Sequence, residues 1–420
     1  MSPEAALAAA LGRAFGHEPP ARIGVAVSGG GDSMALMDLV ADWAAPRATA
    51  VVAATVNHGL RAEAAAEANL AAQAAARRGV PHRILKPGAP VGRGNLQAAA
   101  RAVRFELLAA WAEDMGLSHV CLGHTRDDQA ETVLMRLARG SGVDGLSAMA
   151  EATRNAGLVW LRPLLGVRRA ALREMLVAGG LSWAEDPTNS DRRFDRIKAR
   201  GMLADPPLPG LDTDTLAETA ARMAAARQVL NASARDAAQA LARADHGGIA
   251  FAAEAFGALP DETRWRLLAA ALCRVSGQAY RPRLSRLRAA EAAARDGHAH
   301  TIHGCIVAPD GMDLRIDREP AAATRVEGVG PGPWDGRWQI VGPACPDAET
   351  GPLGADDLAR LGGVGETGIP RRALAASPAI RRCGRVIGAP LLRGKGLARD
   401  DWSAMPLWGT MSFVSDFGPD

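Results

Sequence analysis

The stretch Val25-Ala-Val-Ser-Gly-Gly-Gly-Asp-Ser-Met-Ala-Leu-Met37 decides how the first half of the chain is read. An apolar run ends in three glycines set between Ser28 and Asp32-Ser33, and apolar residues at helical spacing follow. Such a turn, leaving a buried strand and entering a helix, exposes consecutive backbone N–H groups at the positive end of the helix dipole. Together these make an anion site. A Cβ would hold a phosphate off, hence Gly29, Gly30 and Gly31. Ser28 and Ser33 add hydroxyl donors, and Asp32 is placed to hold a magnesium ion against pyrophosphate oxygens. The GxxxxGK[ST] pattern is absent, and with it the lysine that clamps a γ-phosphate.

Around this loop, strand-like and helix-like stretches alternate, which predicts a parallel sheet wrapped by helices. Strands are expected at 23–27, 50–56, 82–85, 119–122 and 159–161, and helices at 32–43, 62–78, 95–115, 127–139 and 168–178. This is a doubly wound α/β domain over residues 1–203. The linker Ala204-Asp-Pro-Pro-Leu-Pro-Gly-Leu-Asp212 marks a boundary. Helical patterns at 213–244 and 261–275 then predict a mostly helical domain over 204–320. Glycine, proline and short β-like runs predict a mixed α+β domain over 321–420.

The 420 residues suffice for two or three domains, and 48% hydrophobic with 23% charged residues is ordinary for a globular chain. No apolar run reaches the ~18 residues of a membrane span, so no membrane partner is expected. The N-terminus reads as a short helix with Glu4 early, unlike a signal peptide. Five cysteines, widely spaced and without CxxC, argue against a disulfide framework or a cysteine-built metal site. A cytoplasmic location is expected. The net charge of +3 hides a polarity: seven arginines and no acid between Arg264 and Arg288, and six arginines with one lysine and no acid between Arg371 and Lys395. That suits a polyanionic partner, although a solvated helix face reads the same way.

SGGGDS at Ser28–Ser33 resembles the SGGxDS loop of PP-loop ATP pyrophosphatases, which split ATP into AMP and pyrophosphate. Four further segments resemble the tRNA(Ile)-lysidine synthetases among them. Asn57-His-Gly-Leu-Arg61 is similar to their DHGLR or HHGLR. It ends the second strand, where open α/β sheets contact ligands. Arg101-Ala-Val-Arg-Phe105 resembles ARxxRY. Gly123-His-Thr-Arg-Asp-Asp-Gln-Ala-Glu-Thr132 is close to GHxxDDQxET, although Thr125 with Asp128 also forms a legitimate capping box. Trp183-Ala-Glu-Asp-Pro-Thr-Asn189 with Phe194-Asp-Arg-Ile-Lys-Ala-Arg200 resembles WxEDPSN and (Y/F)xRNxIR, and Arg162-Pro-Leu-Leu165 matches RPLL.

The resemblance implies ATP, Mg2+, L-lysine and an isoleucine tRNA with a CAU anticodon. The wobble cytidine is adenylated at its C2 oxygen, and the lysine ε-amine then displaces AMP. It assigns Ser28, Gly29, Gly30, Gly31, Asp32, Ser33 and His58 to ATP, and Asp32 to the metal. Asp128 and Glu131 are the candidates for lysine, and His124 for its base. Arg61, Arg104, Arg196 and Arg200 are the candidates for tRNA. A PP-loop domain that grips RNA without catalysis is the alternative, disfavoured because SGGGDS and DDQAET are both intact. A tRNA thiolase lacks its CxxC here. Nothing in the sequence decides between a monomer and a homodimer. Gly363-Val-Gly-Glu-Thr-Gly368 fits GxGxxG but follows no buried strand. His298, His300, His303 and Cys305 carry ligand-like residue types, yet a polar hairpin turn explains them better than zinc.

Overall fold

The computed structural model describes residues 2–59, 63–88, 96–155, 157–185, 195–345, 347–362, 367–392 and 401–418. Arg61, Gly94-Asn95, 186–194 and 363–366 therefore lie outside the described residues. The chain forms two compact units that divide within one helix, between Arg227 and Gln228.

The first unit runs α1 (Pro3–Phe15), β1 (Arg22–Ala26), α2 (Gly31–Ala44), β2 (Ala50–Val56), α3 (Glu63–Arg77), β3 (His82–Leu85), α4 (Leu96–Asp114) and β4 (His119–Leu122). It continues with α5 (Arg126–Leu137), the short α6 (Val143–Leu146), β5 (Ala152–Asn155), β6 (Leu158–Leu161), α7 (Arg169–Ala178), α8 (Asp195–Ala204) and the start of α9 (Thr213–Leu241). The sheet order is β3-β2-β1-β4-β6-β5, parallel except for β5. Strands buried on both faces need not alternate, which is why Ala50–Val56 reads as one apolar run. On one face Leu36, Val40, Ala71 and Leu172 pack over Val25 and Val159. On the other, Leu108 and Trp111 of α4 cover Val52, Ala54, Val120 and Leu122. A side chain at Gly24 would lie 2.8 Å from Leu117 and 3.0 Å from Trp111, so the central strand needs glycine there.

Chain order reverses direction between β1 and β4: β2 and β3 lie to one side of β1, and β4 and β6 to the other. Ligands of doubly wound sheets bind at that switch, outside the carboxyl ends of the strands. The loops after β1, β2 and β4 carry Ser28–Gly30, Asn57–Gly59 and Gly123–Thr125.

The second unit holds the end of α9, β7 (Ala242–Asp245), β8 (Gly248–Ala252), α10 (Ala253–Gly257), α11 (Asp261–Ser276), α12 (Leu284–Arg295), β9 (His300–Ile302), β10 (Cys305–Asp310) and β11 (Asp313–Arg318). Its first sheet is antiparallel, in the order β7-β8-β11-β10-β9. Residues 242–244, expected as the last turn of a helix, are strand: they pair with β8 through a turn at His246-Gly247, with φ of 48° and 72°. The same chemistry turns β9 into β10 at His303-Gly304, with φ of 59° and 70°. His300 and His303 are thus hairpin residues. Two small sheets follow, one of β12 (Gly328–Val329), β15 (Glu349–Pro352), β16 (Pro378–Arg382) and β17 (Arg385–Gly388). The other joins β13 (Gly332–Trp334), β14 (Trp338–Val341) and β18 (Ser403–Pro406). The helices α13 (Pro320–Ala323), α14 (Ala355–Leu361), α15 (Arg371–Ala375) and α16 (Thr410–Ser415) complete the unit. Among the described residues no helix is long and apolar enough to cross a membrane.

Candidate active site

The loop after β1 is knitted by its own serines. Ser33 Oγ donates to the Gly30 carbonyl at 2.9 Å and accepts from the Ser28 amide at 3.0 Å, with the two hydroxyls 3.1 Å apart. Gly29 sits at φ 86°, and a Cβ there would lie 2.8 Å from the Glu67 carbonyl oxygen. Gly31 lies against Trp183, where a Cβ would come within 3.3 Å of the indole. A Cβ on Gly30, by contrast, would meet only the Ser28 hydroxyl, at 3.6 Å. Gly30 is also the N-cap of α2 and offers no capping side chain, so the first amides of the helix are left for an exogenous anion. The Gly29 carbonyl accepts from the Ala184 amide at 2.9 Å, tying the loop to the Trp183 segment.

The segment after β4 resolves residue by residue. A Cβ on Gly123 would lie 3.0 Å from Ser33 Cα, so glycine lets this strand end approach the phosphate loop. Thr125 and Asp128 do form a capping box on α5. Asp127 caps a different helix: its Oδ2 accepts from the Arg169 amide at 2.7 Å, at the start of α7. Gln129 pairs with both backbone groups of Met149 at 2.8 Å. The remaining acids meet arginines.

Arg169 donates to Asp32 Oδ2 (2.9 Å), Asp128 Oδ1 (2.6 Å) and Glu131 Oε1 (3.4 Å). Arg196 donates to Asp128 Oδ1 (2.7 Å) and Glu131 Oε2 (2.6 Å), and Arg200 to Glu131 Oε1 (2.9 Å). Asp32, Asp128, Glu131, Arg196 and Arg200 are thus brought together, three carboxylates against three guanidiniums. Arg169, which completes the set, was not among the residues singled out from sequence. Its local signal is its place at the start of a helix after RPLLGV, surrounded by other basic residues. Burial opposes the charge on Asp128, but Arg196, Arg169 and the Thr125 amide outweigh it and hold the pKa below the usual carboxylate range. Asp32 shifts the other way, because burial outweighs its single arginine partner and raises its pKa. Arg169 gains from three carboxylates, so its own pKa rises even though Asp32 gains little in return.

Next to this cluster lies a cavity of about 200 Å³ lined by His58, Ala100, Arg101, Arg104, Phe105, Leu122 and His124. Arg101 stacks over Phe105, 5.2 Å from the ring centroid. Neither Arg101 nor Arg104 has an acid partner among the described residues. The Nδ1 atoms of both histidines are buried without a hydrogen bond among the described residues. Burial, then Arg104, lowers the His58 pKa. For His124, burial together with Arg162, Arg196 and Arg104 outweighs Asp128 and pushes the pKa down to about 3. Arg162 is buried too, with its pKa lowered to about 10, and donates to the Ala150 carbonyl at 3.0 Å. The cavity lining is cationic, which suits an anion or a polarised planar group.

A family model described as the PP-loop domain matches residues 3–205. A tRNA(Ile)-lysidine synthase of Ruegeria pomeroyi is 44% identical over 390 residues, 93% of this chain and 92% of that protein. One from Bradyrhizobium sp. is 45% identical over 262 residues, 60% of this chain and 73% of that one. Another from Rhodopseudomonas palustris is 41% identical over 318 residues, 72% of this chain and 92% of its own length. With a PP-loop at the switch point of its sheet and 44% identity to such an enzyme over 93% of its length, the chain belongs to the tRNA(Ile)-lysidine synthase family.

Proposed function

We propose that this chain adenylates the C2 oxygen of the wobble cytidine in the CAU anticodon of an isoleucine tRNA and then joins L-lysine through its ε-amine. The observation that carries the reading is the juxtaposition of an anion-ready loop at Ser28–Ser33, a carboxylate set and a cationic cavity at one end of one sheet. In the first step the C2 oxygen attacks the α-phosphorus, the bond to the β-phosphate breaks and pyrophosphate leaves. In the second the amine attacks C2, the C2–O bond breaks and AMP departs, while the ammonium proton must go to a base. Loop amides and serine hydroxyls hold the phosphates without reorganising. The open space before Gly30 fits a phosphate. Asp32 fits a metal, since its Oδ1 accepts no hydrogen bond among the described residues. Magnesium, when bound, neutralises charge on the departing pyrophosphate.

The cavity at His58 and His124 is below the roughly 300 Å³ at which drug-sized ligand pockets begin. It suits one base or one phosphate, with Arg104 compensating the negative charge. His124 is neutral at pH 7 and too weak a base to store the lysine proton, so its role is that of a hydrogen-bonding group or proton relay. A carboxylate offers about four lone-pair sites. Those of Asp128 are filled by Arg169, Arg196 and the Thr125 amide and hydroxyl. Glu131 Oε2 keeps one site, so the lysine ammonium is best received there, with Arg196 giving way. Release of Arg196 and Arg200 from these acids would make them available to tRNA. We also propose that residues 204–320 and 321–420 serve RNA binding and that the enzyme is cytoplasmic.

The test is release of AMP and pyrophosphate from ATP and magnesium with CAU-anticodon tRNA(Ile), with and without labelled L-lysine. Lysine-dependent AMP release with label in the tRNA is expected. AMP release indifferent to lysine, or no turnover with tight tRNA binding, would refute the reading.

A further inference from the structure

The arginine run at 264–288 separates in the structure into two groups. Arg264 is committed to Glu291 and Asp261, Arg266 to Glu262 and Asn231, and Arg274 to Asp416. These three hold α11 in place. Arg283, Arg286 and Arg288 are instead exposed within six residues of chain. Arg283 and Arg286 have no acid partner among the described residues, and Arg288 lies over the Trp265 ring at 4.3 Å. Beside them Tyr280, the sole tyrosine of the chain, is 86% exposed. A groove of about 590 Å³ is lined by Ser285, Arg286, His300, Thr301, His303 and, as its one acid, Glu319.

Fold stability does not explain this placement. Cations at the start of a helix oppose its dipole, and α12 begins with Arg283 at its N-cap and no acid in its first turn. The preceding α11 follows the rule, with Asp261 and Glu262 in its first turn. A broken local rule with no compensating contact marks a functional surface. The second basic run offers less: Arg372, Arg381 and Arg382 are engaged with Asp317, Asp357 and Cys345.

Building on the tRNA reading above, we propose that Arg283 and Arg286 bind backbone phosphates of the tRNA and that Tyr280 stacks on one of its unpaired bases. Exposed arginines beside an exposed aromatic ring are the combination that RNA rewards, since phosphates supply charge and bases supply a flat face.

The experiment measures tRNA(Ile) affinity of the full chain across salt concentrations, for wild type, Arg283→Ala/Arg286→Ala and Tyr280→Ala. Losing two phosphate contacts lowers the slope of log K against log salt by about 1.4 to 1.8. Losing one stacked base weakens binding about tenfold with the slope unchanged. In turnover, KM for tRNA rises in the double arginine variant while kcat at saturating tRNA stays at the wild-type value. A wild type that binds tRNA, with a double variant of equal slope and affinity, overturns this surface alone. A wild type that binds no tRNA overturns the function reading together with it. A Tyr280→Ala variant of wild-type affinity removes the stacking part.

Discussion

Replacing Glu131 by Gln tests whether the three carboxylates and three arginines act as one electroneutral unit. Glu131 is 1% exposed and meets Arg169, Arg196 and Arg200. The substitution keeps shape and removes one negative charge, leaving a guanidinium unmatched. Removing one partner of a buried pair costs about 3–5 kcal/mol. The Arg196 and Arg200 side chains are 41% and 35% exposed and can turn surplus charge to water. Their share is therefore discounted, and we expect about 2–3 kcal/mol. Hydrogen exchange of the α5 amides (Arg126–Leu137) reads this locally, as exchange faster by about 30- to 150-fold. Arg200→Gln alone leaves Glu131 two arginines and costs less. The double variant restores neutrality, so it should cost at least about 1 kcal/mol less than the sum of the single changes. Single costs that add within about 0.5 kcal/mol would refute the idea of a coupled cluster.

Gly29→Ala places a Cβ against the Glu67 carbonyl at a φ of 86° and shifts the phosphate loop; equilibrium binding should show ATP affinity at least tenfold weaker, with tRNA affinity unchanged. Asp32→Asn should abolish AMP formation while tRNA binding persists. Because burial raises the Asp32 pKa, its ionised form weighs against folding as pH rises through that value. Asp32→Asn leaves Arg169 paired with Asp128 and Glu131, so it should lower the melting temperature at pH 7 less than Glu131→Gln does. His124 has the opposite dependence on pH: its folded pKa of about 3 lies below the ordinary 6.5, so the unfolded chain binds the extra proton between them. Stability should climb from pH 3 to 6.5, and His124→Gln should flatten that climb in melts across pH.

Much of the first unit was legible because its signals are local. The apolar runs 50–56, 82–85 and 119–122 are strands over those same residues. β5 was missed: Ala152–Asn155 is an edge strand, only partly buried, without an apolar run. Residues 242–244 were misread because alanine favours helix, whereas pairing with β8 and the His246-Gly247 turn override propensity. At the candidate site, the capping residues were readable from spacing, but the occupants of Asp128 and Glu131 were not. By resemblance alone those acids are candidates for lysine, and Arg196 and Arg200 for tRNA. In the structure the four engage one another, which makes any substrate role an exchange of partners.

The sequence by itself determined the phosphate loop, the switch-point sheet that presents it and the order of the motifs. Each of these depends on residues adjacent in the chain: glycines free to take positive φ, hydroxyls beside them, and apolar residues at the period of a strand or helix. Only the tertiary structure decided which charges meet. Arg169 lies 137 residues from Asp32 and 41 from Asp128, and no local pattern links them. They meet because the order of strands brings α2, α5 and α7 to one end of the sheet, and burial there leaves a carboxylate no water to rely on, only an arginine.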